Sequence, residues 1–366
     1  MTTLDERAVA DRAAAPAIDA RAVMATGTTR GRIATVAVVV ALALVPFVGV
    51  TVPGLFSGTL NSPGTLVVLA TGLVYAGVAM SYDLLLGYTG LLSLGHALYF
   101  AAGLYGTNLL LGAGWPLAAA AVAAVAGTAL LALVLGSIAL RVGGVAFAMV
   151  TLAFAEAFWI VVNSDPFEVT NGEEGLALVA DAIPDLLRGV VNTRWVFWLA
   201  LAFAVMAWVV MHQVAGSRAG HVYRAVRDNE DRVEMLGLQP YWFKLQSFVL
   251  GGTVAGLGGA AYLLVVRGSS PNAASTTFTL NLVIMVVLGG LGRLWGAALG
   301  GMVFAYLELR LPDLAGSGVF DALPEVIAGP LSEPLFILGS LFVVLMMFVP
   351  GGLASIIDRI RPALRR

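Results

Sequence analysis

The chain has 366 residues, of which 59% are hydrophobic and only 11% charged, and its mean hydropathy is +0.92. Soluble chains carry about a quarter of their residues as charges, so this composition excludes a soluble enzyme and reads as an integral membrane protein. The absence of cysteine excludes a disulfide scaffold, a thiol nucleophile and a thiolate metal site; three histidines give no basis for a metal centre, and a net charge of -2 leaves no general basic surface for nucleic acid.

Residues 1–32, rich in Ala, Asp and Arg without apolar periodicity, are expected to form a disordered cytosolic arm. No secretory leader is expected, because the first apolar run lacks a small-residue cleavage site and further runs follow it. Apolar runs recur at 33–50, 64–87, 91–111, 117–140, 144–162, 195–215, 245–266, 279–291, 294–311 and 335–350. A hydrocarbon core of about 30 Å is crossed by about 20 helical residues whose backbone groups bond within their own segment. The expected fold is therefore an all-α integral membrane protein of about ten transmembrane helices. The permease domain spans 33–350, with a cytosolic loop at 216–244 and a basic cytosolic tail at 351–366.

Threading these spans from a cytosolic N-terminus places sixteen of the 20 Lys and Arg residues inside, leaving Arg188, Arg194, Arg267 and Arg310 outside. That positive-inside bias orients both termini toward the cytosol and places the chain in the cytoplasmic (inner) membrane. The outer loop 163–194 then carries Asp165, Glu168, Glu173, Glu174, Asp181 and Asp185, and the outer loop 312–334 carries Asp313, Asp321, Glu325 and Glu333. This acidic face reads either as a solvated surface or as a docking rim for an extracytoplasmic partner.

Two spans are broken by glycines at nearly matching spacing, Gly87-Tyr88-Thr89-Gly90 followed by Ser93-Leu94-Gly95-His96-Ala97, and Gly289-Gly290-Leu291-Gly292 followed by Trp295-Gly296-Ala297. Corresponding breaks in two halves point to an internal repeat, and irregular backbone within a membrane survives only beside protein or a water-filled path. Gly87, Gly90, Gly289 and Gly292 are accordingly candidates for the translocation pathway. Asp83 lies one turn before the first break, where a carboxylate costs about 2.5–3.5 kcal/mol and needs partners such as Ser81, Ser93, His96 or freed backbone N–H groups. It reads as a cap on a broken helix or as a contact with solute or gate. Glu156, toward the outer part of its span, and His96, as a packing and hydrogen-bonding residue, complete the candidates.

The loop between the sixth and seventh runs is amphipathic at helical spacing. Val222, Val226, Val233 and Leu236 fall on one face; Arg224 with Asp228, Arg227 with Asp231 and Asp228 with Arg232 are i,i+4 pairs on the other. Gly237 suits the left-handed residue after the helix end, and Pro240 follows the stop. The mixed-charge polar face favours a protein groove over a lipid surface as receptor.

Ser81-Tyr82-Asp83-Leu84-Leu85-Leu86-Gly87 through Ala97, then Ala148-Met149-Val150-Thr151-Leu152 through Glu156, Thr170-Asn171-Gly172-Glu173-Glu174-Gly175-Leu176, the amphipathic loop, and Val286-Val287-Leu288-Gly289-Gly290-Leu291-Gly292 through Gly296 resemble, in family order, the LivM-type permease of branched-chain amino acid ABC importers. The resemblance implies a non-enzymatic permease subunit in membrane lipid. Its implied partners are a LivH-like second permease, two cytosolic ABC ATPases and an extracytoplasmic solute-binding protein. It also implies that the loop is the coupling helix, with Val222, Val226, Arg227, Glu230, Val233, Leu236 and Gly237 meeting an ATPase. Family members often carry Asn where this chain has Asp83, and Asp also occurs there in related urea permeases, so urea or short amides are the alternative solutes. No Gly-x-x-x-x-Gly-Lys-Ser/Thr occurs, so no cofactor is expected in this chain, and ATP and Mg are assigned to the partner ATPases. An ion-coupled secondary carrier is the rival class; it would share the broken helices but would not need the amphipathic loop.

Overall fold

A computed structural model describes residues 29–51, 56, 58–315, 334–348 and 351–355. The arm up to residue 28, the tail from residue 356, and Asp321, Glu325 and Glu333 of the second acidic loop lie outside the described residues. The chain divides into two units, residues 1–45 and 46–366. In the first, the run expected at 33–50 forms helix α1, Thr29–Leu44.

The second unit is a bundle of apolar helices: α2 (Pro63–Asp83), α3 (His96–Gly112), α4 (Leu117–Ala139), α5 (Gly144–Ser164) and α6 (Thr193–Gly216). Two short helices, α7 (Arg218–Asp228) and α8 (Glu230–Met235), separate these from α9 (Pro240–Val266), α10 (Thr276–Gly289), α11 (Leu294–Ala315) and α12 (Pro334–Phe348). Every apolar run read from the sequence falls on a helix, in an all-α membrane fold. Six helical segments among the described residues are long and apolar enough to cross a membrane: Pro63–Thr89, Leu117–Ala139, Gly144–Ser164, Val190–Gly216, Pro240–Val266 and Leu294–Pro312. The boundaries shift most where α1 ends at Leu44 rather than 50, α3 begins at His96 rather than 91 and α9 begins at Pro240 rather than 245.

Two helices form the centre. The span containing α2 is 78% buried and α9 67%, whereas α4 is 22% buried and presents Val122, Leu130 and Val134 outward, as a lipid-facing helix does. Helix α2 starts where Ser62 caps it, the hydroxyl accepting from Thr65 N–H, with Pro63 in the first turn where its missing donor costs nothing. It then packs against α6, α9, α10 and α11. Lipid tails are as apolar as the side chains, so close van der Waals packing drives these contacts, and small residues permit it. A Cβ on Gly77 would overlap the Phe203 ring, and one on Gly301 would lie 2.8 Å from the backbone of Tyr75 and Ala76. The contact of α3 with α9 is tightest: a Cβ on Gly103 would run into the Gly256 backbone, and one on Gly259 would lie 2.8 Å from Leu104 N.

The loop between α5 and α6 is ordered by polar contacts. Asp165 caps α5, and its carboxylate accepts from the N–H groups of Thr170 (2.9 Å), Val169 (2.7 Å) and Asn171 (2.8 Å), which hold its carboxyl below the usual range. Arg188 pairs with Asp185 at 3.0 Å and Asp181 at 3.8 Å. Three of the six expected acidic residues are thus occupied in building the loop, while Glu168, Glu173 and Glu174 stay exposed. A short antiparallel ribbon joins β1 (Leu176–Ala177) to β2 (Gly268–Ser269), Leu176 opposite Ser269. Asn108 near the end of α3 donates to both, to Leu176 O at 3.1 Å and Ser269 Oγ at 2.7 Å.

Replacing Gly103 with valine should force α3 from α9 and lower stability by about 1–3 kcal/mol, the usual cost of overpacking. Thermal unfolding in detergent checks this, with Gly112→Ala, where no atom lies within 4 Å of the added carbon, leaving the midpoint near wild type.

Candidate functional site

The first break begins as α2 passes into a π-helical turn, Leu84–Thr89, in which Thr89 Oγ1 donates to Leu84 O at 2.9 Å. Gly90, at φ 77°, ends it in the left-handed conformation that favours glycine, and Leu91 N–H returns to Leu85 O at 2.8 Å. From there to Gly95 the chain is not helical, so backbone groups within the bundle need partners from elsewhere. Leu94 N–H donates to Thr151 Oγ1 of α5 at 3.1 Å, and Ala97 N–H to Thr279 Oγ1 of α10 at 3.0 Å. Tyr82 Oη donates to Ser93 O at 3.0 Å, while Ser93 Oγ accepts weakly from Gly95 N–H at 3.4 Å. The start of α3 is thus capped by hydroxyls from two other helices.

His96 is fully buried beside the break, with Nε2 3.0 Å from Ser81 Oγ. Ser81 gives its single proton to Val78 O at 2.7 Å, so His96 Nε2 is the donor in that pair and Nδ1 the bare acceptor. Glu156, in contrast, lies apart from the break and accepts from Thr276 Oγ1 at the start of α10.

The second break carries Gly290 at φ 112° and Gly292 at φ 72°. Gly292 N–H donates to Asp83 Oδ1 at 2.8 Å, joining residues 209 apart in sequence. The two breaks are therefore one site. Gly87 is required by this approach, since a Cβ there would strike Asp83 Oδ1 and lie 2.8 Å from Gly292 Cα. Asp83 itself is fully buried, and Arg227 of the amphipathic segment is near enough to act on it electrostatically.

That segment is two helices rather than one. Ser217 caps α7, accepting from Gly220 N–H at 3.2 Å; Asn229 then leaves helical geometry, and its side chain caps α8 by accepting from Arg232 N–H at 2.9 Å. Residues 227 and 231, and 228 and 232, consequently no longer share one helix face. In place of the expected i,i+4 pairs, Arg227 meets Asp228 at 3.5 Å, and Glu230 pairs with Lys244. Gly237 takes φ 82°, with Leu238 N–H on Val233 O and Gly237 N–H on Glu234 O, the double bond of a Schellman stop.

The apolar face also differs from the sequence expectation. Tyr223, Val226 and Val233 are buried against the chain itself, and Val222 is partly covered, because this face seats the segment on the bundle. Burial pushes the Tyr223 hydroxyl up to about 12, keeping it a neutral donor to Gln246 Oε1 at 2.9 Å. The exposed apolar residues are Met235 (81%), Leu236 (75%), Leu238 and Trp242. Beside them lies a groove of about 410 Å³ lined by Glu230, Glu234, Gly237, Leu238, Gln239, Pro240, Tyr241 and Trp242. Arg224 and Arg227 turn the opposite way, Arg224 lying 5.0 Å above the Tyr88 ring and Arg227 Nη1 donating to Gly87 O.

Sequence reasoning passed over one polar cluster. Glu308 of α11 lies beside the hydroxyl of Tyr75, which also meets Tyr262, and Phe100 and Phe278 complete a ring of aromatics around these two tyrosines. A third carboxylate within an apolar run, at Tyr306-Leu307-Glu308, was the available signal.

An apolar helix bundle whose two interrupted helices bond to one another, under a polar two-helix segment, defines a multi-pass membrane permease. Residues 64–350 match the family described as branched-chain amino acid transport system / permease component, and the chain belongs to that family. It is similar to the high-affinity branched-chain amino acid transport system permease proteins LivM of Salmonella typhimurium and Escherichia coli, each 24% identical over 80% of this chain and 70% of the relative. It is also similar to the probable branched-chain amino acid transport permease protein LivM of Methanocaldococcus jannaschii, 26% identical over 59% of this chain and 61% of the relative. No solved structure matches the chain.

Asp83→Ala strands the Gly292 N–H inside the bundle and should destabilise the protein by about 1–3 kcal/mol. Asp83→Asn keeps an acceptor there and should cost clearly less. Thermal unfolding of both variants in detergent reads the difference.

Proposed function

We propose that this permease subunit translocates branched-chain or similar small amino acids as part of an ATP-driven importer, receiving them from an extracytoplasmic solute-binding protein. The observation that carries the reading is the amphipathic segment, seated on the paired breaks by one face and presenting Met235, Leu236, Leu238 and Trp242 on another. An exposed apolar patch beside a groove is a surface for a soluble partner, and an ion-coupled carrier has no use for one. The partner in this reading is a cytosolic ATPase, two of which bind ATP and Mg beneath this chain and a LivH-like second permease. Both termini then lie in the cytosol, on the side of α7 and α8. The acidic residues left exposed in the opposite loop, Glu168, Glu173 and Glu174, face the binding protein.

Reconstitution tests the reading. Leucine uptake into proteoliposomes should require this chain, the second permease, both ATPases, loaded binding protein and ATP. Uptake by this chain alone on a proton or sodium gradient sinks the importer and promotes the carrier, whereas ATP-driven uptake of urea with no leucine uptake reassigns the solute.

The docking patch has its own test. Leu236→Asp places a carboxylate in a surface otherwise desolvated by the ATPase, and burial of such a side chain contributes about 1.5–3 kcal/mol before ordering costs. Copurification of the ATPases should fall roughly tenfold or more, while Asp231→Ala should leave it near wild type.

A further inference from the structure

Arg227 stands on the segment read above as the ATPase contact, yet its guanidinium turns toward the breaks while the side chain stays 43% exposed. Its Nη1 donates to Gly87 O, and its Nη2 lies 3.5 Å from Asp228 Oδ1 on its own helix, which steers the guanidinium. Its stem crosses Gly90, where a Cβ would sit 2.8 Å from Arg227 Cγ. On the other side, a Cβ on Gly292 would sit 3.5 Å from Arg227 Nη1 and 3.3 Å from Gly87 O. One arginine side chain thus touches three glycines drawn from both breaks, its stem at Gly90 and its guanidinium at Gly87 and Gly292, close to the carboxylate that joins the breaks.

We propose that Arg227 is a positioning residue that latches an inner gate: through it α7 holds the Gly87–Gly90 break against the Gly289–Gly292 break, and movement of α7 releases both. This deepens the importer reading by naming the side chain through which the ATPase-facing segment acts on the pathway. The arrangement supplies what a latch needs. Its hold on Gly87 is a single charge-assisted hydrogen bond, strong enough to order a closed state and breakable by a small displacement of α7. Its closed state is sealed by backbone contact between glycines, so separation of the breaks opens a gap without any side chain having to rotate away. The exposed apolar patch lies on α8 and beyond, past the bend at Asn229, so partner binding and latching use different residues.

The chain contains no cysteine, so a single Ser93→Cys reports on the gate: Ser93 is fully buried in the non-helical stretch between Gly90 and the start of α3. The assembled complex in proteoliposomes is treated, without nucleotide, with a membrane-impermeant maleimide applied to each face in turn, and labelling of this chain is followed. With Ser93→Cys alone labelling should be slow from both faces. Adding Arg227→Gln should accelerate labelling from the face carrying α7 by roughly tenfold or more, with the ATPases still bound, and Arg227→Lys, which keeps a charged donor, should restore most of the protection. Asp83→Asn, which keeps an acceptor for Gly292 but removes the carboxylate close to Arg227, should give an intermediate rate, and it carries the test where Arg227→Gln does not assemble. Labelling unchanged in these variants overturns the latch, as does release of the ATPases by Arg227→Gln, which makes Arg227 a docking residue. The readout needs no transported solute, so failure of leucine uptake counts against the importer reading and leaves this result standing.

Discussion

Backbone that leaves a helix inside an apolar bundle still has to find a hydrogen-bond partner for every N–H and C=O, and the functional part of this molecule is organised around that requirement. The non-helical residues 90–95 and 290–293 would otherwise strand polar groups away from water at a cost of several kcal/mol apiece. The protein settles the account with side chains from a distance: Thr151 and Thr279 for the start of α3, Tyr82 for Ser93, Asp83 for Gly292. The partners come from three helices, α2, α5 and α10, so satisfying the breaks also fixes how the helices around them are placed. Asp83 belongs here first as an acceptor, its Oδ1 taking the Gly292 N–H of the second break.

Two different modes of attachment follow. The spanning helices are held by backbone approach, glycine against carbonyl, as where Gly103 and Gly259 bring α3 onto α9. Such contact is dense, has little directional polarity and gives no place to slide. The α7–α8 segment is held by a few buried side chains, Tyr223, Val226 and Val233, together with directed polar contacts from Arg224 and Arg227. Those contacts can be broken and remade without repacking a core, which separates a rigid transmembrane body from a surface element able to shift upon it.

The helices were legible in the sequence because their apolar runs are long and the membrane imposes one length, and the breaks were legible because two glycine clusters recur at nearly matching spacing, although the pairs Gly258-Gly259 and Gly300-Gly301 serve packing within unbroken helices. Gly237 was placed correctly for the same local reason: a left-handed residue after a helix end favours glycine. What stayed hidden was long-range. The expected partners of Asp83 included freed backbone N–H groups, and one of these takes it, but nothing in its spacing said that the group would be Gly292 of the second break, while Ser81, Ser93 and His96 were only its neighbours in sequence. The amphipathic face was seen but assigned outward, since periodicity separates apolar from polar without saying which body covers the apolar side. Asn229 was read as one more polar residue in a continuous helix, although an Asn before Glu-Asp is a natural cap, and that bend carried the exposed patch to Met235 and Leu236. The Thr170–Leu176 motif gave no sign of its ribbon because a two-residue strand has no periodicity to detect.

Helix α3 is tethered at both ends, by His96 to Ser81 and Ala97 to Thr279 at one, and by Asn108 to Leu176 and Ser269 at the other. Between those tethers run twelve residues of unbroken α-helix, a strut of roughly 18 Å that resists axial compression because every turn is already closed by its own hydrogen bonds. The ribbon at one end and the capping threonines at the other are therefore held at a fixed spacing along α3, and its seating on α9 at Gly103 and Gly259 keeps that spacing in register with the rest of the bundle.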